Sequence, residues 1–271
     1  MGAIWDGASE LLLKILELFY SVTNSYGMSI ILLTIAVRVI LYPLNQKQMR
    51  SMQNMQEIQP MLKVIQEKYA NDKEKMTQET MRLYKEYKVN PAAGCLPLLV
   101  QLPILILLFN VLRTYDFADT SFFGILLGSS VTSGLAQAFG VAADADGTHS
   151  IFAVLSAMIT NPGGLARIDL YLGNLLLLIG ISILTWAQQK LSTGDNPQMA
   201  MMNTIMPFFM AFICLSMPGG VMLYWGLSSL MGVVQQYFVM KNTKKEMEIK
   251  PTLHKNKPIN NKNDDDDEDD D

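Results

Sequence analysis

Long apolar segments alternate with charged ones along the chain. Because a helix needs about 20 apolar residues to cross the hydrocarbon core of a bilayer, the pattern predicts an all-α membrane protein with five transmembrane helices. These predicted spans are residues 26–44, 95–113, 170–189, 199–217 and 219–240. The last two meet at Met217-Pro218-Gly219-Gly220, which predicts a tight hairpin at one membrane face. The apolar segment 151–159 is too short to cross.

Residues 1–25 precede the first span and carry an amphipathic pattern. Between Ala8 and Phe19 large apolar residues recur at three- and four-residue spacing, which predicts a helix with one apolar face. That face consists of Leu11, Leu12, Ile15, Leu18 and Phe19. Because amphipathic helices of this kind lie along membrane surfaces, we expect an external interfacial segment. The alternative is a helix that merely extends the first span.

The charged segment between the first two spans, residues 45–90, contains no glycine and keeps a helical apolar seam. It is therefore predicted to form an antiparallel helical hairpin rather than a flexible linker. Pro60 is expected to interrupt its first arm, and Asn71 with Glu74 resembles a capping box that opens the second arm. Two interpretations stay open: a solvated connector, or a landing surface for incoming chains and partners.

The distribution of basic residues predicts the orientation. Residues 45–90 hold nine Lys and Arg against six Asp and Glu, and four lysines follow the fifth span before residue 251. Residues 114–169 hold five Asp and one Arg. Because cytoplasmic loops are enriched in Lys and Arg, the 45–90 hairpin and the C-terminus are predicted to be cytoplasmic, and the 114–169 loop and the N-terminus external. The tail, residues 241–271, ends in eight consecutive acidic residues and is expected to be disordered.

No set of residues resembles a catalytic centre. His149 falls in the predicted external loop and His254 in the tail, and no glycine-rich phosphate loop or zinc signature occurs. The two cysteines, Cys95 and Cys214, have no metal or redox spacing. We predict that the chain is not an enzyme and uses no cofactor or metal. Because no Arg- and Ser-rich transit segment precedes the first span, a bacterial plasma membrane is favoured.

Arg38 stands inside the first apolar segment, where an arginine costs about 2.5–3.5 kcal/mol on insertion scales. Snorkelling is one explanation, because the six residues from Arg38 to Leu44 rise only about 9 Å. However, the five segments contain no Asp or Glu, whereas they do contain Thr34, Gln188 and Gln189. A cation in such surroundings is best solvated by water in a protein-lined cavity, where it would attract acidic residues of another polypeptide.

Four segments carry a family resemblance. They are LLTIAVRVILYPLNQKQMRSM, IQPMLKVIQEKY, YKEYKVNPAAGCLPLLVQLPIL and MPGGVMLYWGLSSLMGVVQQY. In order and spacing they resemble the YidC/Oxa/Alb family of membrane protein insertases, over roughly residues 26–113 and 170–240. The chain resembles the short Gram-positive-type members. Two features depart from the family pattern: Ser228-Ser229 stand where an Asn is frequent, and the 114–169 loop is longer than expected.

The resemblance implies five core helices around a hydrophilic groove that is open to the cytoplasm and to lipid. It implies that Arg38 is the positive charge of this groove. Thr34, the pair Gln188 and Gln189, and Trp225 would line or support it, and the choice between the two glutamines stays open because adjacent helical positions face about 100° apart. A hydrophobic slide for the client's apolar segment would consist of Leu102, Pro103, Leu105, Met206 and Met210.

The predicted function is therefore insertion and folding assistance for newly made membrane proteins. The expected partners are nascent membrane proteins and membrane lipids, with the ribosome and the Sec translocon as open candidates and no direct reading of nucleic acid. The main alternative is a small-molecule or anion transporter or channel that uses Arg38 as its anion site. No internal repeat, which such proteins commonly show, is found. A scaffold that only assembles complexes is a third hypothesis.

Overall fold

The computed structural model describes the backbone of residues 2–87, 89–90, 96–114, 120–144, 149–193 and 197–249. Side chains are described for these residues except 2–4, 96–100, 112–114, 192–193, 197–204 and 242–249. The described chain is mostly helical. The predicted C-terminal tail lies largely outside these residues.

The N-terminal segment forms one long helix, α1 (Gly2–Thr23). It packs against two later helices, α2 (Tyr26–Ile40) and α6 (Leu96–Thr114). Leu16 is buried in this contact, whereas Leu11 and Leu18 of the predicted apolar face remain exposed. The chain then turns at Asn24, whose φ of 50° is left-handed. Because the helix breaks there, α1 is a separate element and not an extension of the next helix.

The predicted first span divides into two helices. Helix α2 (Tyr26–Ile40) ends four residues before the predicted boundary, and α3 (Tyr42–Glu57) leaves it at an angle of 64°. Pro43 lies in the first turn of α3, where a proline favours the start of a new helix because no hydrogen-bonded N–H is needed there. Arg38 therefore lies in the last turn of α2, close to the bend.

The charged segment continues from α3 into α4 (Gln59–Lys68) and α5 (Lys73–Glu86), which pack on each other. Their own apolar core consists of Ile58, Leu62, Ile65, Leu83 and Val89. The expected interruption falls at Ile58, because Pro60 occupies the first turn of the following helix. The expected capping by Asn71 is wrong: Asp72 is the N-cap, and its carboxylate accepts from the Lys75 N–H at 3.0 Å.

The remaining long helices complete a bundle with α2. Helix α9 packs against both α10 and α11, and α11 packs against α2 and α6. Their bounds are α6 (Leu96–Thr114), α9 (Leu172–Thr193), α10 (Pro197–Leu215) and α11 (Gly219–Ile249). Within the described residues, Leu172–Leu191 alone is a straight helix long and apolar enough to cross a membrane, and the bent α2–α3 pair passes the same test together.

The long loop between α6 and α9 has structure of its own. Strands β1 (Ser121–Phe122) and β2 (Ile125–Leu126) form an antiparallel hairpin, followed by α7 (Val131–Phe139) and α8 (Ile151–Thr160). Two 3₁₀ turns, Pro162–Ala166 and Ile168–Leu170, lead into α9. We call residues 120–139 the β-hairpin cap, because they close one end of the bundle.

Glycines at the ends of three helices make the closure tight. A Cβ at Gly173 of α9 or at Gly219 of α11 would overlap a carbonyl oxygen of the cap, and one at Gly27 of α2 would overlap the Phe122 ring. The buried side chain of Asn174 bonds the cap three times, to Leu126 N at 2.8 Å, to Leu126 O at 3.1 Å and to Ser129 O at 2.7 Å. Close backbone approach and satisfied polar groups therefore fix the cap on the helices.

Candidate functional site

Arg38 reaches across from α2 to α11. Its Nε donates to the Ser228 hydroxyl oxygen at 2.8 Å, and Nη2 donates to the Ser228 carbonyl oxygen. Among the described residues, no carboxylate forms an ion pair with Arg38. The guanidinium is thus oriented by a neutral residue, which leaves its charge uncompensated by any described carboxylate.

Gly232, one turn after Ser228, lets a second helix approach the same point. A Cβ at position 232 would lie 3.1 Å from Gln188 Nε2 and 3.5 Å from Arg38 Nη2. The bare backbone at this position therefore admits both side chains. Of the two glutamines left open by the sequence, Gln188 is the one whose side-chain nitrogen lies beside Gly232, as Arg38 Nη2 also does. We call Arg38, Gln188, Ser228 and Gly232 the arginine site.

Tyr224 extends the polar contacts from α11 to α6. Its ring is buried, and its hydroxyl accepts from Gln101 Nε2 at 3.1 Å. It lies one turn before Ser228 on the same helix. Sequence reasoning did not select Tyr224. The signal that the sequence offers is the position of Tyr224, one helical turn before Ser228. A buried tyrosine hydroxyl needs a hydrogen-bond partner, so a tyrosine at this spacing points to a polar cluster.

Thr34 and Trp225 support the site rather than present groups to it. Thr34 is fully buried one turn before Arg38, and its hydroxyl donates back to the Ile30 carbonyl at 2.6 Å. Trp225 belongs to the apolar core formed by the long helices. Both therefore hold α2 and α11 in place beside the arginine.

The residues predicted to form the slide differ in exposure. Leu102 and Pro103 lie on the exposed surface of α6, whereas Leu105 and Met210 are buried in the core and Met206 packs against it. The exposed apolar surface of α10 is instead aromatic and aliphatic. It consists of Ile205, Phe208, Phe209 and Phe212. The predicted residues thus divide between an outer surface and the core beneath it.

Glutamines of α3 border the arginine site on the side of the bend. Gln46 Oε1 accepts from Gln235 Nε2 of α11 at 3.5 Å, and Gln56 Nε2 donates to the Leu191 carbonyl of α9 at 2.7 Å. Gln48 is buried, and its Nε2 has no hydrogen-bond partner among the described residues. Because buried donors are normally paired, the Gln48 amide is a donor still available for a hydrogen bond. Sequence reasoning missed these three residues, because they fall in a segment read as a soluble hairpin.

The long apolar helices, together with the family and the relatives described next, define the class, an integral membrane protein of the bacterial membrane. The family model described as 60Kd inner membrane protein matches residues 18–246, and the chain belongs to this family. Residues 45–90 and the β-hairpin cap both fall inside the matched region.

Several relatives carry the name membrane protein insertase YidC. The chain is 38% identical over 243 residues to the one of Fusobacterium nucleatum subsp. nucleatum, covering 89% of this chain and 98% of that protein. It is 37% identical over 248 residues to the one of Chlamydia caviae, covering 88% of this chain but 28% of that protein. The one of Syntrophobacter fumaroxidans is 34% identical over 236 residues, of which the match covers 37%. The chain thus spans the first protein almost fully and about a third of the other two.

A solved structure agrees with the fold. A crystal structure of an active YidC insertase with its first transmembrane domain resolved superposes with a TM-score of 0.61 at 27% sequence identity. The match covers 86% of this chain and 46% of that chain.

Proposed function

We propose that this protein inserts newly made membrane proteins into the bacterial membrane and assists their folding. The observation that carries the proposal is the arginine site. Arg38 is held by the neutral Ser228 and lies beside Gln188, with no described carboxylate in ion-pair contact. A positive charge oriented but not neutralised can attract acidic residues of a passing polypeptide. The relatives named as insertases support the same function.

The proposed topology has five membrane-spanning helices, α2, α6, α9, α10 and α11. Helices α2, α9 and α11 each run from the β-hairpin cap to the arginine site, over 11, 15 and 13 residues, or about 17, 23 and 20 Å at 1.5 Å per residue. Helices α6 and α10 return. With the basic α3–α5 segment in the cytoplasm, the cap and α1 lie outside and the C-terminus inside.

In this orientation the arginine site opens toward the cytoplasm. Arg38 is partly exposed, and the α2–α3 bend follows two residues later. The amides of Gln46, Gln48 and Gln235 provide polar groups between the bend and the site. Water can therefore reach the guanidinium from the α3 side, whereas the cap seals the other end. This is the hydrophilic groove of the proposal.

Insertion then needs no covalent step. The acidic N-terminal tail of a client enters the groove beside Arg38, and its apolar segment passes into lipid along the exposed surfaces of α6 and α10. Burial of apolar surface in the bilayer and the membrane potential acting on acidic residues supply the driving force. The α3–α5 hairpin is the proposed first contact for clients and for the ribosome or the Sec translocon.

The test uses the purified protein reconstituted alone in vesicles. A small client with an acidic external N-terminus is added, and its protease protection is measured. We expect Arg38→Ala to lower insertion about tenfold, because a hydrogen bond to a charged group is worth about 1.5–3 kcal/mol. Arg38→Lys should retain most activity. Arg167→Ala, in the exposed turn before α9 and outside the α3–α5 hairpin, is the control for removal of a basic residue.

Equal insertion by Arg38→Ala, Arg38→Lys and the unchanged protein would remove the electrostatic part of the proposal. Uptake of a small anion by the same vesicles, without any insertion, would favour the transporter instead.

A further inference from the structure

Helix α8 carries an exposed apolar face that the proposed insertion mechanism does not use. Phe152, Leu155 and Ile159 lie within about 60° of one another on the helix at 100° per residue. Phe152 is 80% exposed and Ile159 is 84% exposed. Such large exposed aliphatic and aromatic side chains on one face mark a contact surface.

The opposite face fixes α8 beside the start of α9. Ala157 and Met158 pack on a small cluster formed by Ala138, Phe139 and Tyr171. Tyr171 directly precedes α9, and its hydroxyl donates to the Leu165 carbonyl of the 3₁₀ turn that follows α8. The position of α8 is therefore tied to the first residues of α9.

Helix α9 sets the level of α8 relative to the membrane. Its apolar stretch Leu172–Leu191 has 20 residues, about 30 Å at 1.5 Å per residue, which equals the hydrocarbon thickness of a bilayer. Residue 172 thus lies at the edge of the hydrocarbon region, and α8 lies beside it.

The exposed apolar surface continues from α8 into the outward stripe of α9. Leu165 and Ile168 of the connecting turns are exposed. The stripe that follows consists of Leu172, Leu176, Ile179, Ile183 and Trp186. No Asp, Glu, Lys or Arg occurs between residues 147 and 166, and Arg167 and Asp169 follow at once. The α8 face is thus uncharged and apolar, it is bordered by charged residues, and it continues into a membrane-spanning stripe. Such a face fits the acyl chains of the leaflet, and the bordering charges fit the lipid headgroups.

We propose that α8 is an interfacial helix whose Phe152–Ile159 face dips into the membrane leaflet at the N-terminal end of α9. The long loop thereby anchors the β-hairpin cap to the bilayer surface. The inference requires α9 to cross the membrane, but it does not require the insertase function.

The experiment measures the surroundings of single nitroxide labels in phosphatidylcholine and phosphatidylglycerol vesicles. Cys95 and Cys214 are first replaced by Ala, and labels are attached through Phe152→Cys or Ile159→Cys. Ile179→Cys on the α9 stripe is the control for lipid, and Gln137→Cys on the exposed face of α7 is the control for water. We expect labels at 152 and 159 to collide more with oxygen than with a water-soluble nickel chelate, as at 179.

Preference for the nickel chelate, as at 137, would overturn the proposal by placing the face in water. Low collision with both reagents would overturn it by showing a protein partner or a second copy on the face. If the cysteine-free background does not fold, Phe152→Trp in the native background provides the same test. Lipids brominated along the acyl chain should then quench a larger amount of tryptophan fluorescence in the Phe152→Trp protein than in the unchanged protein. Equal quenching in the two proteins would contradict the proposal.

Discussion

At the β-hairpin cap, α9 and α11 meet backbone and α2 meets the Phe122 ring, whereas at the arginine site the same three helices meet through flexible polar side chains. Gly173 and Gly219 each face a carbonyl oxygen of the cap, and Asn174 bonds the cap three times. Gly232 faces only the ends of the Gln188 and Arg38 side chains. A backbone contact cannot give way, whereas the end of a side chain can move. This difference supports the proposal that the cap end of the bundle stays closed and that the arginine site admits a client.

The largest effect is expected from Asn174→Leu. The change removes three hydrogen bonds to the cap and leaves buried backbone groups unpaired, at about 1–3 kcal/mol for each group. We expect a loss of about 3 kcal/mol in the free energy of unfolding, measured by denaturation in detergent. Gln137→Leu, on the exposed face of α7, should be nearly neutral. A neutral Asn174→Leu would mean that the cap is not held by this side chain.

The second largest effect is expected from Gly173→Ala, which should lower the free energy of unfolding by about 1–3 kcal/mol. The added methyl group overlaps the Gly124 carbonyl oxygen and forces the backbone to shift. Gly180→Ala is the matched control on the same helix. A Cβ there meets nothing within 4 Å, so its thermal midpoint should stay equal or rise slightly. Equal midpoints for the two variants would contradict the tight closure.

Ser228→Ala tests the arginine site itself. It removes the hydroxyl acceptor of Arg38 Nε but leaves the carbonyl acceptor, so about 1 kcal/mol of stability should be lost. Ser229→Ala, on the neighbouring buried position, is the control and should leave insertion unchanged. If the two variants are equally stable and insert clients equally well, the Ser228 hydroxyl does not orient the guanidinium.

The smallest effect on stability is expected from Gly232→Ala, although the change is chemically the same as Gly173→Ala. The side-chain ends of Gln188 and Arg38 can move by a few tenths of an ångström, and alanine favours the helix by up to about 1 kcal/mol. Stability should stay within about 0.5 kcal/mol of the unchanged protein. Insertion of an acidic-tailed client should fall, but less than for Arg38→Ala. A stability loss like that of Gly173→Ala would show that the two sites do not differ.

The helical class and the choice of Arg38 could be predicted from the sequence, because twenty-residue apolar stretches and an arginine among them are local signals. The partners of Arg38 could not be predicted. Ser228 is 190 positions away, and its bond depends on how α2 and α11 pack. The approach of Gln188 to the same point depends in the same way on Gly232, whose role appears only when three helices converge.

The cap lay beyond sequence reasoning for a different reason. Its strands have two residues each, too few for a periodic pattern. The turn between them uses Phe123 and Gly124 at positive φ, 49° and 79°, although hairpin turns of this kind favour Asn-Gly. The α2–α3 bend had a signal in Pro43, but apolar residues on both sides of it masked the boundary.

A double-mutant cycle shows whether Arg38 keeps its charge available to clients. Insertion of a client with an aspartate in its external tail, and of the same client with asparagine there, is measured with the unchanged protein and with Arg38→Ala. We expect the unchanged protein to prefer the aspartate client about tenfold and Arg38→Ala to lose this preference. The same preference in both proteins would mean that Arg38 does not attract the acidic tail.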